Sequence, residues 1–217
     1  MTAYNYDIQR MSNILAFLTD PVYGERLEIL KKISTAFEEN GVSWALSCST
    51  ALFFRGILDD FHDYDVLVSQ KDTQRAKEIL SDCGLVLNPN TPQKNTFFCS
   101  PDYVQASCGN VEFDIITDIA LKTFGGKYTY KVEQGVEPVS LDGNVLIPLI
   151  PVEAQMVLYG MMEGWQAKRR FKRDLCWQYL QEMRKIQSPL RYQGILTDAM
   201  EQQIPDFLRE VINSLLI

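Results

Sequence analysis

Residues 63–68 read Asp-Tyr-Asp-Val-Leu-Val, two carboxylates one residue apart at the head of an apolar run. The run over 64–68 has the composition of a buried strand. Side chains at i and i+2 of a strand share a face, so Asp63 and Asp65 point the same way, about 7 Å apart along the backbone. That is near enough for two side chains to share one divalent cation.

The flanking sequence adds to this pair. Residues 42–46 form a second short apolar run and are expected as a strand. Residues 47–50, Ser-Cys-Ser-Thr, make a turn of small residues, after which helical spacing resumes over 51–57. Free N–H groups at that helix start, with a Ser or Thr hydroxyl, can take phosphate oxygens, which marks Cys48, Ser49 and Thr50 as candidates. Downstream, residues 111–116 alternate, with Glu112 and Asp114 on one face and Val111, Phe113 and Ile115 on the other. If that strand lies beside 64–68, three carboxylates converge. Such a set raises its members' pKa values unless cations neutralise it. Two Mg²⁺ roughly 3.5–4 Å apart would do so, and would clamp an in-line displacement at phosphorus. The chain has one histidine, His62, and five cysteines with no CxxC pair. A metal here would therefore have carboxylate ligands and be Mg²⁺ or Mn²⁺ rather than zinc.

The remaining periodicity outlines the architecture. Helices are expected over 4–20, 21–40 and 71–80. Short β-prone runs follow at 95–99, 103–107, 111–116, 128–132, 136–141 and 145–150, separated by Pro, Gly, Asn and Asp. Helical spacing then runs from 152 to 216, with breaks at Ser188-Pro189 and Ile204-Pro205. The expectation is an α+β chain: a mixed sheet flanked by helices over 1–150, then a helical C-terminal region over 151–217. With 21 basic and 28 acidic residues the net charge is −7, which disfavours bulk nucleic-acid binding. No apolar run reaches membrane-span length and no signal-peptide layout opens the chain. A cytoplasmic protein with reduced thiols is expected.

An apolar strand, a small-residue turn, a short helix, a D-x-D strand and a third acidic strand together resemble the nucleotidyltransferase superfamily with the DNA polymerase β-like fold. The likeness is nearest to small bacterial lincosamide, aminoglycoside and toxin-type nucleotidyltransferases. The resemblance implies an enzyme that transfers a nucleoside monophosphate from an NTP to a hydroxyl of a small molecule or RNA, releasing pyrophosphate. It implies that Asp63 and Asp65 hold metals with the triphosphate, and that Asp114 shares a metal and helps deprotonate the acceptor. It also lifts the basic run 168–174, Lys-Arg-Arg-Phe-Lys-Arg-Asp, above a solvated helix face. One of Lys168, Arg170, Lys172 or Arg173 would reach the phosphates, with Lys172 and Arg173 taken as nucleotide-binding residues.

The departure from the pattern is Cys48, where relatives carry glycine. It leaves open an alternative: a member that kept the fold to bind a nucleotide or partner without catalysis. A sugar-nucleotide glycosyltransferase would also use D-x-D, but the small-residue turn and the third acidic strand speak against it. Gly125-Gly126-Lys127 lacks the rest of a P-loop, since Tyr128 follows the lysine. His62 is expected on an exposed loop and Trp165 and Trp177 in the core, while the Tyr128/Tyr130 pair has rings that can stack on a base or an acceptor.

Overall fold

The computed structural model describes residues 2–88, 97–123, 125–163 and 167–217. Helices α1 (Ala3–Thr19) and α2 (Gly24–Glu39) lead into strand β1 (Trp44–Ser47). The short helix α3 (Cys48–Phe53) follows without a break, then β2 (Tyr64–Val68) and α4 (Thr73–Asp82). Next come β3 (Val86–Asn88), β4 (Asp102–Cys108), β5 (Val111–Thr117), β6 (Ile119–Thr123) and β7 (Gly126–Tyr130). The chain ends with β8 (Glu137–Ser140), β9 (Leu146–Leu149), α5 (Val152–Met162), α6 (Ala167–Ile186), α7 (Gln193–Glu201) and α8 (Asp206–Leu216).

Among the described residues, seven strands form one mixed sheet in the order β3-β4-β5-β2-β1-β9-β8, and β6 and β7 form a separate pair. β2 runs antiparallel to β1 and parallel to β5. The central strands are buried on both faces, which is why β1 and β2 read as nearly continuous apolar runs. Successive residues alternate between two cores. Trp44, Leu46, Val66, Val68, Phe113 and Ile115 enter a core shared with α1, α2 and α4. Ala45, Leu67 and Ile116 enter the other, shared with α5 to α8 and the β6–β7 pair. This second core joins residues from both sides of position 150. Every residue of α5 is buried in it, so the helix has no polar stripe.

The mixed architecture matches the expected fold class, with local differences. Helix α3 begins at Cys48, where a turn through residue 50 was expected, because Ser47 already serves as its N-cap residue. β3 and β6 were not anticipated: β3 is only three residues long, and β6 follows β5 after a single residue, with no separate turn signal between them. Of the run 95–99, residues 95 and 96 lie outside the described residues, and Phe98 bridges Leu121. Trp165 also lies outside them. Among the described residues, no helix is long and apolar enough to cross a membrane.

Candidate active site

Asp65 and Asp114 are register partners on the adjacent parallel strands β2 and β5. Each lies two residues before a side chain of the second core, Leu67 and Ile116 respectively. The two carboxylates therefore share that face, just where the cover of C-terminal helices stops. Asp63 precedes β2 on the same parity. All three line one cleft of about 290 Å³, together with Cys48, Ser49 and His62. Glu112 is exposed and does not line this cleft, but it shares a strand face with Asp114 and lines an adjoining cavity of about 490 Å³ with Asp63 and Asp114. Asp114 is oriented by Tyr103, whose hydroxyl donates to Oδ1 at 2.7 Å, and by Gln105 Nε2 at 3.4 Å.

The turn residues have separate fates. Cys48 sits at φ 51°, the left-handed region that glycine adopts freely and other L-residues adopt at a cost. The side chain is nonetheless buried, and Gln155 Nε2 holds the Cys48 carbonyl at 3.3 Å. Thr50 is fully buried and donates its hydroxyl to the Asp63 carbonyl at 2.8 Å. It thus ties α3 to the head of β2 and does not face the cleft. Ser49 does face it, and its hydroxyl accepts from Lys172 Nζ at 2.6 Å.

The facing wall is α6, which brings Lys168, Arg169 and Lys172 to the cleft. Residues 168, 169, 172 and 176 occupy one side of a helix, and Cys176 is fully buried there. Arg170 and Arg173 do not line the cleft. Arg173 is buried, pairs with Glu163 and Asp174, and stacks over Phe207 at 5.7 Å. Arg173 therefore does not line the cleft, whereas Arg169 does, a residue the sequence reading passed over. Helical phase, anchored on the apolar Cys176, was the signal available for it. His62 is exposed at the cleft rim.

The electrostatics follow from this crowding. Burial, then the charges of Asp63 and Asp114, push the Asp65 carboxyl up to about 8. Asp114 is also raised, chiefly by burial, against the lowering effect of its Tyr103 hydrogen bond. Burial lowers the Lys172 ammonium below its ordinary value. The Cys48 thiol is driven far above the ordinary thiol range by burial and by Asp65.

Three converging carboxylates, two of them strained toward their neutral forms, are a donor set that suits a hard divalent cation. Among the described residues, however, no group of three His, Cys, Asp or Glu side chains is placed so that it could hold a metal ion. A larger cavity of about 990 Å³ runs along α2, away from these groups. Its lysines are engaged, Lys31 with Asp142 at 2.8 Å and Lys32 with the Cys83 carbonyl at 2.8 Å. The smaller cleft is where chemistry-bearing groups meet.

No protein-family model matches the chain, and no curated protein matches it in sequence. Solved structures do match in shape. TM1012 of Thermotoga maritima, a nucleotidyltransferase by assignment only, is 18% identical with a TM-score of 0.55, over 69% of this chain and 94% of that one. The antibiotic-resistance factor ANT(2")-Ia, solved with adenylyl-2"-tobramycin, is 13% identical with a TM-score of 0.51, over 88% of this chain and 98% of that one. The lincosamide adenylyltransferase LnuA, solved with lincomycin, gives 16% identity and a TM-score of 0.46, over 70% and 96%. At these identities the likeness is one of architecture, and it establishes that the chain has the nucleotidyltransferase fold.

Proposed function

We propose that this protein transfers a nucleoside monophosphate from an NTP to a hydroxyl of a small-molecule or RNA acceptor, releasing pyrophosphate, with Mg²⁺ or Mn²⁺ required. The observation that carries the reading is the cleft itself: Asp63, Asp65 and Asp114 on one wall face Lys172 and Arg169 on the other. A triphosphate needs both, cations for its oxygens and carboxylates to hold its metals.

Asp63, Asp65 and Asp114 would hold the divalent ions, which supply charge neutralisation at phosphorus and polarise the attacking and leaving oxygens. Ser49 and the backbone of the Cys48–Ser49 turn would bind phosphate oxygens. The helix behind this turn has six residues, so its dipole is short and the cations of α6 carry more of the charge. Lys172 and Arg169 would neutralise the negative charge that grows on the leaving pyrophosphate. Asp114, raised in pKa and aimed by Tyr103, would accept the acceptor hydroxyl's proton. ANT(2")-Ia was solved with an adenylylated aminoglycoside, which supports a small-molecule acceptor over RNA, as does the net charge of −7.

The test is pyrophosphate release from each of the four NTPs with Mg²⁺, across a panel of hydroxylated acceptors. Release that depends on acceptor and is abolished by chelation and by Asp65→Asn is expected. Nucleotide binding without release for every acceptor would favour the non-catalytic alternative. Activity that survives both chelation and Asp65→Asn would reject the proposal.

A further inference from the structure

Behind the cleft, three buried polar atoms lack a hydrogen-bond partner among the described residues: Tyr159 Oη, Arg169 Nε and Gln155 Oε1. Such orphans are rare and costly, and their clustering at one place calls for a physical reason. Gln155 and Tyr159 are four residues apart on α5, so they share a helix face. That face meets both halves of the cleft. Gln155 holds the Cys48 carbonyl at 3.3 Å. The Tyr159 ring lies beneath Lys172, with Nζ 5.6 Å from its centroid, and beneath Arg169, with Cζ at 5.8 Å. Tyr159 is fully buried, so its ring cannot turn away.

Two like charges held over one ring repel, and burial disfavours both. Burial is the first cause of the lowered Lys172 pKa, and the Arg169 charge adds to it. The negative face of an aromatic ring attracts both cations without pairing off either charge. A carboxylate in the same place would neutralise them and compete with phosphate. The ring leaves the Arg169 Nε–H unspent.

We propose that Tyr159 is a positioning residue for the triphosphate, its ring holding Lys172 and Arg169 side by side so that both charges remain available to phosphate oxygens. The inference rests on the reading of these two cations as the phosphate-facing wall. It assigns to a buried aromatic on α5 part of the nucleotide affinity, and it makes α5, through Gln155 and Tyr159, the common support of the Ser49 turn and the cationic wall.

The experiment compares Tyr159→Met, which keeps bulk and loses the ring, with Tyr159→Phe, which keeps the ring. Binding of inorganic triphosphate with Mg²⁺ is measured by calorimetry on variants that circular dichroism shows to be folded. Lys172 is followed separately by its ¹³C-dimethyl signal, identified by its loss in Lys172→Arg. With cation–π contacts of this kind, Tyr159→Met should weaken triphosphate binding about tenfold. Tyr159→Phe should stay within about twofold, since it keeps the ring face. The Lys172 methyl signal should lose its ring-current shift in Tyr159→Met and keep it in Tyr159→Phe, whether or not triphosphate is present. If Tyr159→Met does not fold, Tyr159→Leu carries the same comparison. Affinity lost in Lys172→Ala but unchanged in Tyr159→Met, with the methyl signal unmoved, overturns this inference alone. Affinity unchanged in Lys172→Ala and Arg169→Ala overturns the reading of the wall, and this inference with it.

Discussion

Lys172 donates from Nζ to the Ser49 hydroxyl across 2.6 Å, a bond that joins positions 123 residues apart and closes the cleft between α6 and the turn after β1. A triphosphate entering the cleft would take over this bond from both sides. Lys172→Ala should raise the KM for NTP about 10- to 100-fold, the range for a charge-assisted hydrogen bond in a partly dry site. The KM for the acceptor should stay as it was. Initial rates with each substrate varied in turn decide it, and an unchanged KM for NTP would remove Lys172 from the site.

Asp65 sets a pH dependence of stability whose sign is unusual for an aspartate. Its folded-state pKa, about 8, lies above the ordinary 3.8. Between these values the folded protein keeps a proton that the unfolded chain releases, so stability falls as pH rises through that window. Asp114, also raised, acts in the same direction. Solvent reaches the cleft, so the total is at most about 2–3 kcal/mol. Urea midpoints at pH 5 and pH 8 in a chelating buffer should show the loss. Asp65→Asn should flatten the profile, and millimolar Mg²⁺ should reverse it near pH 8.

Asp114 and Glu112 separate two strand-mates by geometry. Asp114 lines the cleft and accepts from Tyr103, whereas Glu112 is exposed and outside it. Asp114→Asn should cost turnover on the order of a hundredfold or more. Glu112→Gln should leave turnover within about twofold, as expected for an exposed substitution. Equal losses in the two variants would show that the third carboxylate has been assigned to the wrong residue.

Cys48→Gly relieves a left-handed backbone at φ 51°, worth about 1–2 kcal/mol, and gives up the burial of one small side chain. The two effects nearly cancel, so thermal stability should change little. Triphosphate should bind more tightly, because the backbone N–H groups of the turn become easier to approach. Cys48→Val puts a β-branched side chain at the same φ and should destabilise clearly. Calorimetric melting of the three proteins measures both effects, and a large loss in Cys48→Gly would show that packing outweighs the backbone term.

Arg173 lies one turn on from Arg169 along α6 but outside the cleft, paired with Glu163 and Asp174. Arg173→Ala should lower stability by about 1–3 kcal/mol, since it leaves partly buried Glu163 with only the longer Arg170 contact. Nucleotide KM should barely move. Arg169→Ala should do the reverse, weakening nucleotide binding with a smaller change in melting temperature. Swapped outcomes would mean that α6 is rotated, bringing Arg173 rather than Arg169 to the cleft.

Local spacing along the chain was enough to find what local spacing governs. The two-residue period put Asp63 and Asp65 on one strand face and separated Glu112 and Asp114 from Val111, Phe113 and Ile115. Glycine and proline marked most helix ends. The small-residue turn located Ser49, because a strand that must pass at once into a helix admits little else. Such features depend on neighbours a few residues apart, and a sequence shows those directly.

Only the tertiary structure decided which distant groups meet. The register that sets Asp65 beside Asp114 joins strands from separate parts of the chain, and it arises because two cores bury alternate residues of β2 and β5. A shift of one residue would have buried the carboxylates. Of the basic run on α6, packing of Cys176 into the core turned Lys172 and Arg169 to the cleft and left Arg173 to its ion pairs. The Thr50 hydroxyl was taken by the Asp63 carbonyl, a claim made by a loop closing 13 residues later. Tyr159 carried no polar pattern at all, since every position of α5 is buried. Its ring acquired neighbours worth naming only when α5 and α6 packed together, and the same burial that hides it from sequence reasoning holds it beneath the two cations.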